Sequence, residues 1–164
     1  MHPNTPEEGL TLDELFAGRG IDIPALLEHL RRVAAECGLP FGMRQKTFNS
    51  RRAQELGKWA ESLGRGEDFH TAVFRAYFAD GLNIAKVPVL TGLVEGLNLD
   101  GAEAQRVLSE EIFKQLVDQD WAYSRTLGIN AVPTFAADGR TVVGAQPYEV
   151  LEKLVIAAGA GRMG

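Results

Sequence analysis

Near the end of this chain Val132-Pro133-Thr134-Phe135-Ala136-Ala137 runs into Asp138-Gly139, and Thr141-Val142-Val143 follows almost at once. Asp-Gly between two β-rich runs is the strongest short-range signal for a hairpin, because a type I′ turn needs positive φ at both central residues. The strands are placed at Pro133 to Ala137 and Thr141 to Ala145. Pro147 then suits the first position of a helix, where its missing N–H costs nothing. Val150, Leu151, Leu154 and Val155 fall on one face of that helix and are expected to cover one side of the ribbon. A two-stranded ribbon is marginal by itself in water, and a run as apolar as Val132 to Ala137 calls for neighbours at its edges. The rest of the chain offers no further strand pattern. The hairpin therefore implies a sheet whose other strands are not visible in this sequence.

Everything upstream has a helical period. Residues 1–10 form an irregular lead-in. Thr11 can cap a short helix through Phe16, with Asp13 and Glu14 in the turn where the macrodipole favours them. Asp22 and Pro24 open a stronger helix in which Leu26, Leu27, Leu30, Val33, Ala34 and Cys37 recur at helical spacing, and Gly38 stops it. Asn49 is read as the cap of a helix over residues 50–63. A third helix from Glu67 to Ala79 is apolar on more than one face, which places it near the centre of a helical lobe. Pro88 starts another through Glu95, Asp100 to Glu103 forms a capping box for the next, and Glu110-Glu111 begin a last long helix through Leu127.

Composition narrows the class. The 164 residues carry a net charge of -5, which argues against nucleic acid or an anionic membrane as the main partner. No apolar run approaches the roughly 18 residues of a membrane span, and the first residues lack the basic and apolar regions of a signal peptide. A chain this size can bury roughly 68–70% of its unfolded surface, so no metal or disulfide is needed to hold a core, and no cofactor is assigned. Cys37 is the one cysteine. An intrachain disulfide is excluded, and a cytoplasmic setting fits best.

The segment Gly128-Ile129-Asn130-Ala131-Val132-Pro133-Thr134-Phe135 through Leu154 resembles the C-terminal signature of the DsbA family, specifically its FrnE-like branch. Phe69 to Phe78 with Asp80 to Ile84 is similar to that branch's inserted helical lobe, and Asn49-Ser50 through Ala60 also fits. The resemblance implies an α+β, mostly helical fold. Residues 1–20 would be a lead-in, 21–108 the inserted lobe, and 109–164 the C-terminal ββα part of a thioredoxin-like domain. It further implies that the strand-helix-strand bearing the family's Cys-x-x-Cys lies before Met1. Carried over residue by residue, it makes Pro133 the proline held cis beside the dithiol, and Val132 the residue whose backbone meets a substrate. The implied substrate is a protein or a small thiol.

Dithiol chemistry needs a thiolate to attack and a second thiol to resolve the mixed disulfide. Cys37 cannot be that pair. It is read as a buried, inert small hydrophobe, the alternatives being a one-thiol site or an intermolecular bridge. No catalytic residue is assigned within the chain. The leading expectation is the C-terminal portion of a thiol–disulfide oxidoreductase, inactive alone. One alternative is a relative of chromene-carboxylate isomerases or kappa-type glutathione transferases, which use glutathione. Another is a non-catalytic interaction domain, with a homodimer covering the Val132–Ala137 strand.

Other signals carry less. Gly159 to Gly164 matches G-x-G-x-x-G in letters, but that motif works between a strand and a helix, and here it follows a helix. Glu67 and His70 have the spacing of half a carboxylate di-metal site, and no second pair exists. His70 is therefore read as an ordinary or hydrogen-bonded helix residue, and no metal site is assigned. Arg44, Lys46, Arg51, Arg52 and Lys58 are read as a solvated face that neutralises nearby acids, the alternative being an anion held at the Asn49 helix start.

Overall fold

Thr11 does cap the first helix, α1 (Leu12–Phe16). Its hydroxyl accepts the Glu14 N–H at 3.1 Å, and Glu14 Oε2 accepts the Thr11 N–H at 2.7 Å. This reciprocal capping box satisfies two donors that the helix leaves open. The same bonds, the backbone N–H foremost, hold the Glu14 carboxyl below its ordinary value. The computed structural model describes residues 4–161. They divide into two units, residues 4–118 and 119–161.

In the larger unit, Leu10–Thr11 (β1) pairs antiparallel with Lys46–Thr47 (β2). The sequence pattern did not announce this two-residue ladder, because nothing that short shows a period. Between its strands runs α2 (Ile23–Glu36), whose first turn is tied by the Ala25 N–H donating to Asp22 Oδ1 at 2.9 Å. The helix has the expected boundaries, yet none of its residues is buried. Cys37, at its C-terminal end, is exposed, which corrects the expectation of a buried thiol. Spacing had identified an apolar stripe on this helix, but spacing does not say what covers a stripe.

The core lies in the next four helices, α3 (Arg51–Ser62), α4 (Gly66–Phe74), α5 (Val87–Gly96) and α6 (Gly101–Ser109). α3 packs on α4 and α6, while α5 packs on α4 and α6. Their buried side chains form one cluster that includes Ala53, Leu56, Trp59, Phe69, Leu90, Val94, Ala104 and Val107. The central place expected for the third helix is confirmed by Phe69, which is fully buried. That helix does not run uniformly to Ala79, however. From Arg75 to Ala79 it widens into a π-helical turn.

Three helix starts differ in detail. Ser50, not Asn49, occupies the cap position of α3, although Asn49 Oδ1 accepts the Arg51 N–H at 2.9 Å. Asp100 accepts the N–H groups of Ala102 and Glu103. Glu103 turns to Arg106 instead of closing the box. The last long helix, α7 (Lys114–Thr126), starts after Glu110 and Glu111, because Glu111 has φ +52° and cannot continue a right-handed helix there.

In the smaller unit, β3 (Thr134–Ala137) and β4 (Arg140–Val143) form the expected hairpin, with Thr134 opposite Val143 and Ala137 opposite Arg140. Asp138 at φ +46° and Gly139 at φ +72° are the two left-handed residues of a type I′ turn. α8 (Tyr148–Ala157) packs on both strands, with Pro147 at its cap position and Leu154 buried. Val155, expected on the covering face, is 44% exposed. No third strand joins this hairpin among the described residues. The fold is α+β and mostly helical, as expected. Part of the Gly159–Gly164 motif lies outside the described residues.

Candidate functional site

Val132 and Pro133 lead into β3, joined by a cis peptide bond. The Pro133 carbonyl is anchored by the Gly144 N–H at 2.8 Å, and Thr134 Oγ1 donates to the Ala131 carbonyl at 2.6 Å. These bonds fix the backbone on either side of Val132. Val132 itself is 78% exposed. Its own N–H and carbonyl make no backbone hydrogen bond among the described residues. An anchored backbone with an open donor and acceptor is a place where an extended chain can pair. Phe135 and Val143 add exposed apolar surface on the hairpin.

Cys37 belongs to the other unit. Its N–H donates to the Val33 and Ala34 carbonyls, which ends α2, and its thiol is open to solvent. A single thiol can exchange with a disulfide to form a mixed disulfide. It supplies no second sulfur for resolution.

The basic stretch separates into two groups. Arg51 Nε pairs with Glu55 at 2.9 Å and Arg51 Nη2 with Asp118 at 2.8 Å; Arg52 pairs with Glu7, and Lys58 with Glu61. Burial lowers the Arg51 guanidinium, but its hydrogen bonds to Asp118 and Glu55 and their charges outweigh that, and the net direction is up. For these three residues the neutralising role read from sequence holds. Arg44 and Lys46 are not part of it. Arg44 lies over the ring of Tyr77 at 4.8 Å and donates to the Tyr77 hydroxyl at 2.5 Å. Tyr77 belongs to the apolar run of the third helix, but the 33 residues separating it from Arg44 hide the pair in the sequence.

His70 is half-exposed, with Nε2 3.8 Å from Glu61. No group of three or more metal-ligating side chains occurs among the described residues. No described helix is long and apolar enough to cross a membrane.

Residues 7–155 match the family model of the DSBA-like thioredoxin domain. The chain belongs to the DSBA-like thioredoxin family. A crystal structure described as a probable DsbA oxidoreductase from Streptomyces coelicolor superposes with a TM-score of 0.86 at 27% identity, covering 99% of this chain and 74% of that one. The cytosolic disulfide reductase DsbM from Pseudomonas aeruginosa superposes with a TM-score of 0.57 at 27% identity, over 82% of this chain and 77% of that one. Among curated proteins, the uncharacterized protein YwbO of Bacillus subtilis (strain 168) is 31% identical over 98 residues, which is 59% of this chain. The match spans about half, 49%, of that relative's length. The DSBA-like hairpin and the helix covering it thus sit in a chain whose solved neighbours include a probable DsbA oxidoreductase and a cytosolic disulfide reductase, and whose 164 residues hold one cysteine.

Proposed function

We propose that this chain is the C-terminal, substrate-recognising portion of a FrnE-like thiol–disulfide oxidoreductase and is inactive in dithiol exchange by itself. In this reading residues 1–20 are a lead-in, 21–108 the inserted helical lobe and 109–164 the end of the thioredoxin-like domain. The observation that carries it is the single cysteine in a chain that matches a disulfide-exchange family over residues 7–155. In dithiol exchange a thiolate attacks one sulfur of a substrate disulfide, forming a mixed disulfide and expelling the other sulfur as a thiolate. A second enzyme thiolate then attacks the enzyme sulfur, the substrate leaves as a dithiol, and the enzyme's two sulfurs are left oxidised. Cys37 alone can perform the first step and not the second.

What the chain would contribute is the docking of the substrate. Val132 presents its open N–H and carbonyl to an extended segment, and Pro133 sets the entry to β3. The partner is then a protein or small thiol. A cytoplasmic setting is supported by the cytosolic reductase among the neighbours, and the exposed apolar hairpin would also suit a homodimer.

Replacing Val132 with a photo-crosslinking residue tests the docking. Irradiation with reduced insulin B chain is expected to yield a covalent adduct that unlabelled peptide competes away. The same probe placed at Tyr148, 73% exposed on α8, serves as the control. Equal adduct at both positions would remove Val132 from the substrate path.

A second reading is favoured by one observation. The Pseudomonas reductase was also solved with GSH, and that structure superposes with a TM-score of 0.56 at 25% identity. The chain would then belong to a glutathione-using relative, of the kind represented by chromene-carboxylate isomerases and kappa-type glutathione transferases.

A further inference from the structure

Three of the five cations between Arg44 and Lys58 have carboxylate partners, and the two that remain line one cavity. Arg44, Gln45, Lys46, Phe48, Tyr77 and Gly81 surround a hollow of about 160 Å³ in the larger unit. We propose that this hollow is a carboxylate-binding subsite for a peptide, recognising an acidic side chain or a chain terminus. Binding here requires nothing of Val132 or Pro133.

The cation is positioned before any ligand arrives. Arg44 stacks over Tyr77 and lies 5.7 Å from the centre of the Phe78 ring. Its Nε donates to the Lys46 carbonyl at 3.3 Å and its Nη2 to the Tyr77 hydroxyl. That hydroxyl is held in turn by Thr47 Oγ1 at 3.1 Å, and the Tyr77 ring meets Phe48 edge-on. The loop bearing Arg44 is pinned one step earlier. The Gly42 N–H donates to the Phe78 carbonyl at 2.8 Å, and a Cβ on Gly42 would overlap the Ala79 carbonyl oxygen. The π-helical turn and this loop therefore fit together only with glycine at position 42.

Among the described residues, Nη1 of Arg44 has no hydrogen-bond partner and the guanidinium forms no ion pair with a carboxylate. Lys46 Nζ donates to the Glu8 carbonyl at 3.2 Å and keeps further N–H groups to offer. Glu14 feels the charge of Lys46 but engages Thr11 through its own bonds. A guanidinium with most of its orientations removed loses little freedom on binding, and its planar fork matches a carboxylate. The aromatic face beneath it strengthens its hold without neutralising it.

The test is a titration of the ¹⁵N-labelled chain, following the Arg44 Nε–Hε resonance, with an Arg44→Gln variant to assign the signal. The probes are N-acetylglutamate N-methylamide, its glutamine counterpart, and N-acetylglycine. At least one carboxylate is expected to shift the Arg44 signal saturably, about tenfold more tightly than the neutral glutamine compound. A response to N-acetylglutamate N-methylamide assigns the site to acidic side chains, and a response to N-acetylglycine assigns it to chain termini. An equal response to the glutamine compound, or no saturable shift with either acid, would overturn the proposal. The comparison among probes is made on the unaltered protein, so it holds even if Arg44→Gln folds poorly.

Discussion

Phe69→Ala is expected to cost the larger unit about 3–5 kcal/mol, the usual loss when a buried aromatic leaves a cavity that its surroundings cannot close. Phe69 has no exposed surface and lies in the one cluster shared by α3, α4, α5 and α6. Single domains are stable by only about 5–15 kcal/mol, so the variant should unfold at a much lower urea concentration or fail to accumulate folded. Phe74, five residues on, is 62% exposed and gives the matched control. Phe74→Ala should lose about 1 kcal/mol or less, as surface changes generally do. Equal losses at the two positions, measured by urea midpoints, would show that the core has been placed on the wrong face of α4.

Arg51→Met is the second large effect. The Glu55 side chain is 6% exposed, and Arg51 is the partner 2.9 Å away that makes its charge tolerable. Removing one partner of a buried pair strands the other, at a cost of about 3–5 kcal/mol. Arg51 also donates to the Lys114 carbonyl and pairs with Asp118. Asp118 is 54% exposed, so that pair contributes little. The double variant Arg51→Met/Glu55→Met should regain much of the loss, because it leaves no buried charge. Strictly additive losses in the four-protein cycle would mean that the two side chains do not depend on one another.

The parts of the fold that were legible carry their cause locally. Asp138-Gly139 predicts its turn because two adjacent residues must take positive φ. Asp22 and Gly38 bracket α2 because caps act within one turn. The features that differ have a cause that is distant or weak. Glu110 and Glu111 are good helix formers by propensity, so the interruption at Glu111 had no marker. The β1–β2 ladder spans two residues on each side, too few for alternation to appear. Cys37 sits on an apolar stripe, and a stripe is a statement about spacing, not about what lies opposite; the structure leaves it exposed. The basic stretch shows the same limit at the site. Arg52 and Arg51 find Glu7 and Asp118 from distant parts of the chain, while Arg44 finds an aromatic ring instead. No spacing rule distinguishes the paired cations from the unpaired ones.

Insulin reduction with dithiothreitol as the electron source bears most directly on whether this sequence transfers electron pairs or only receives the molecules that undergo transfer. With one thiol in its sequence, the chain should leave the onset of insulin precipitation at the uncatalysed time, and Cys37→Ser should behave identically. Catalysis at a rate typical of a thioredoxin, abolished by Cys37→Ser, would contradict the assignment.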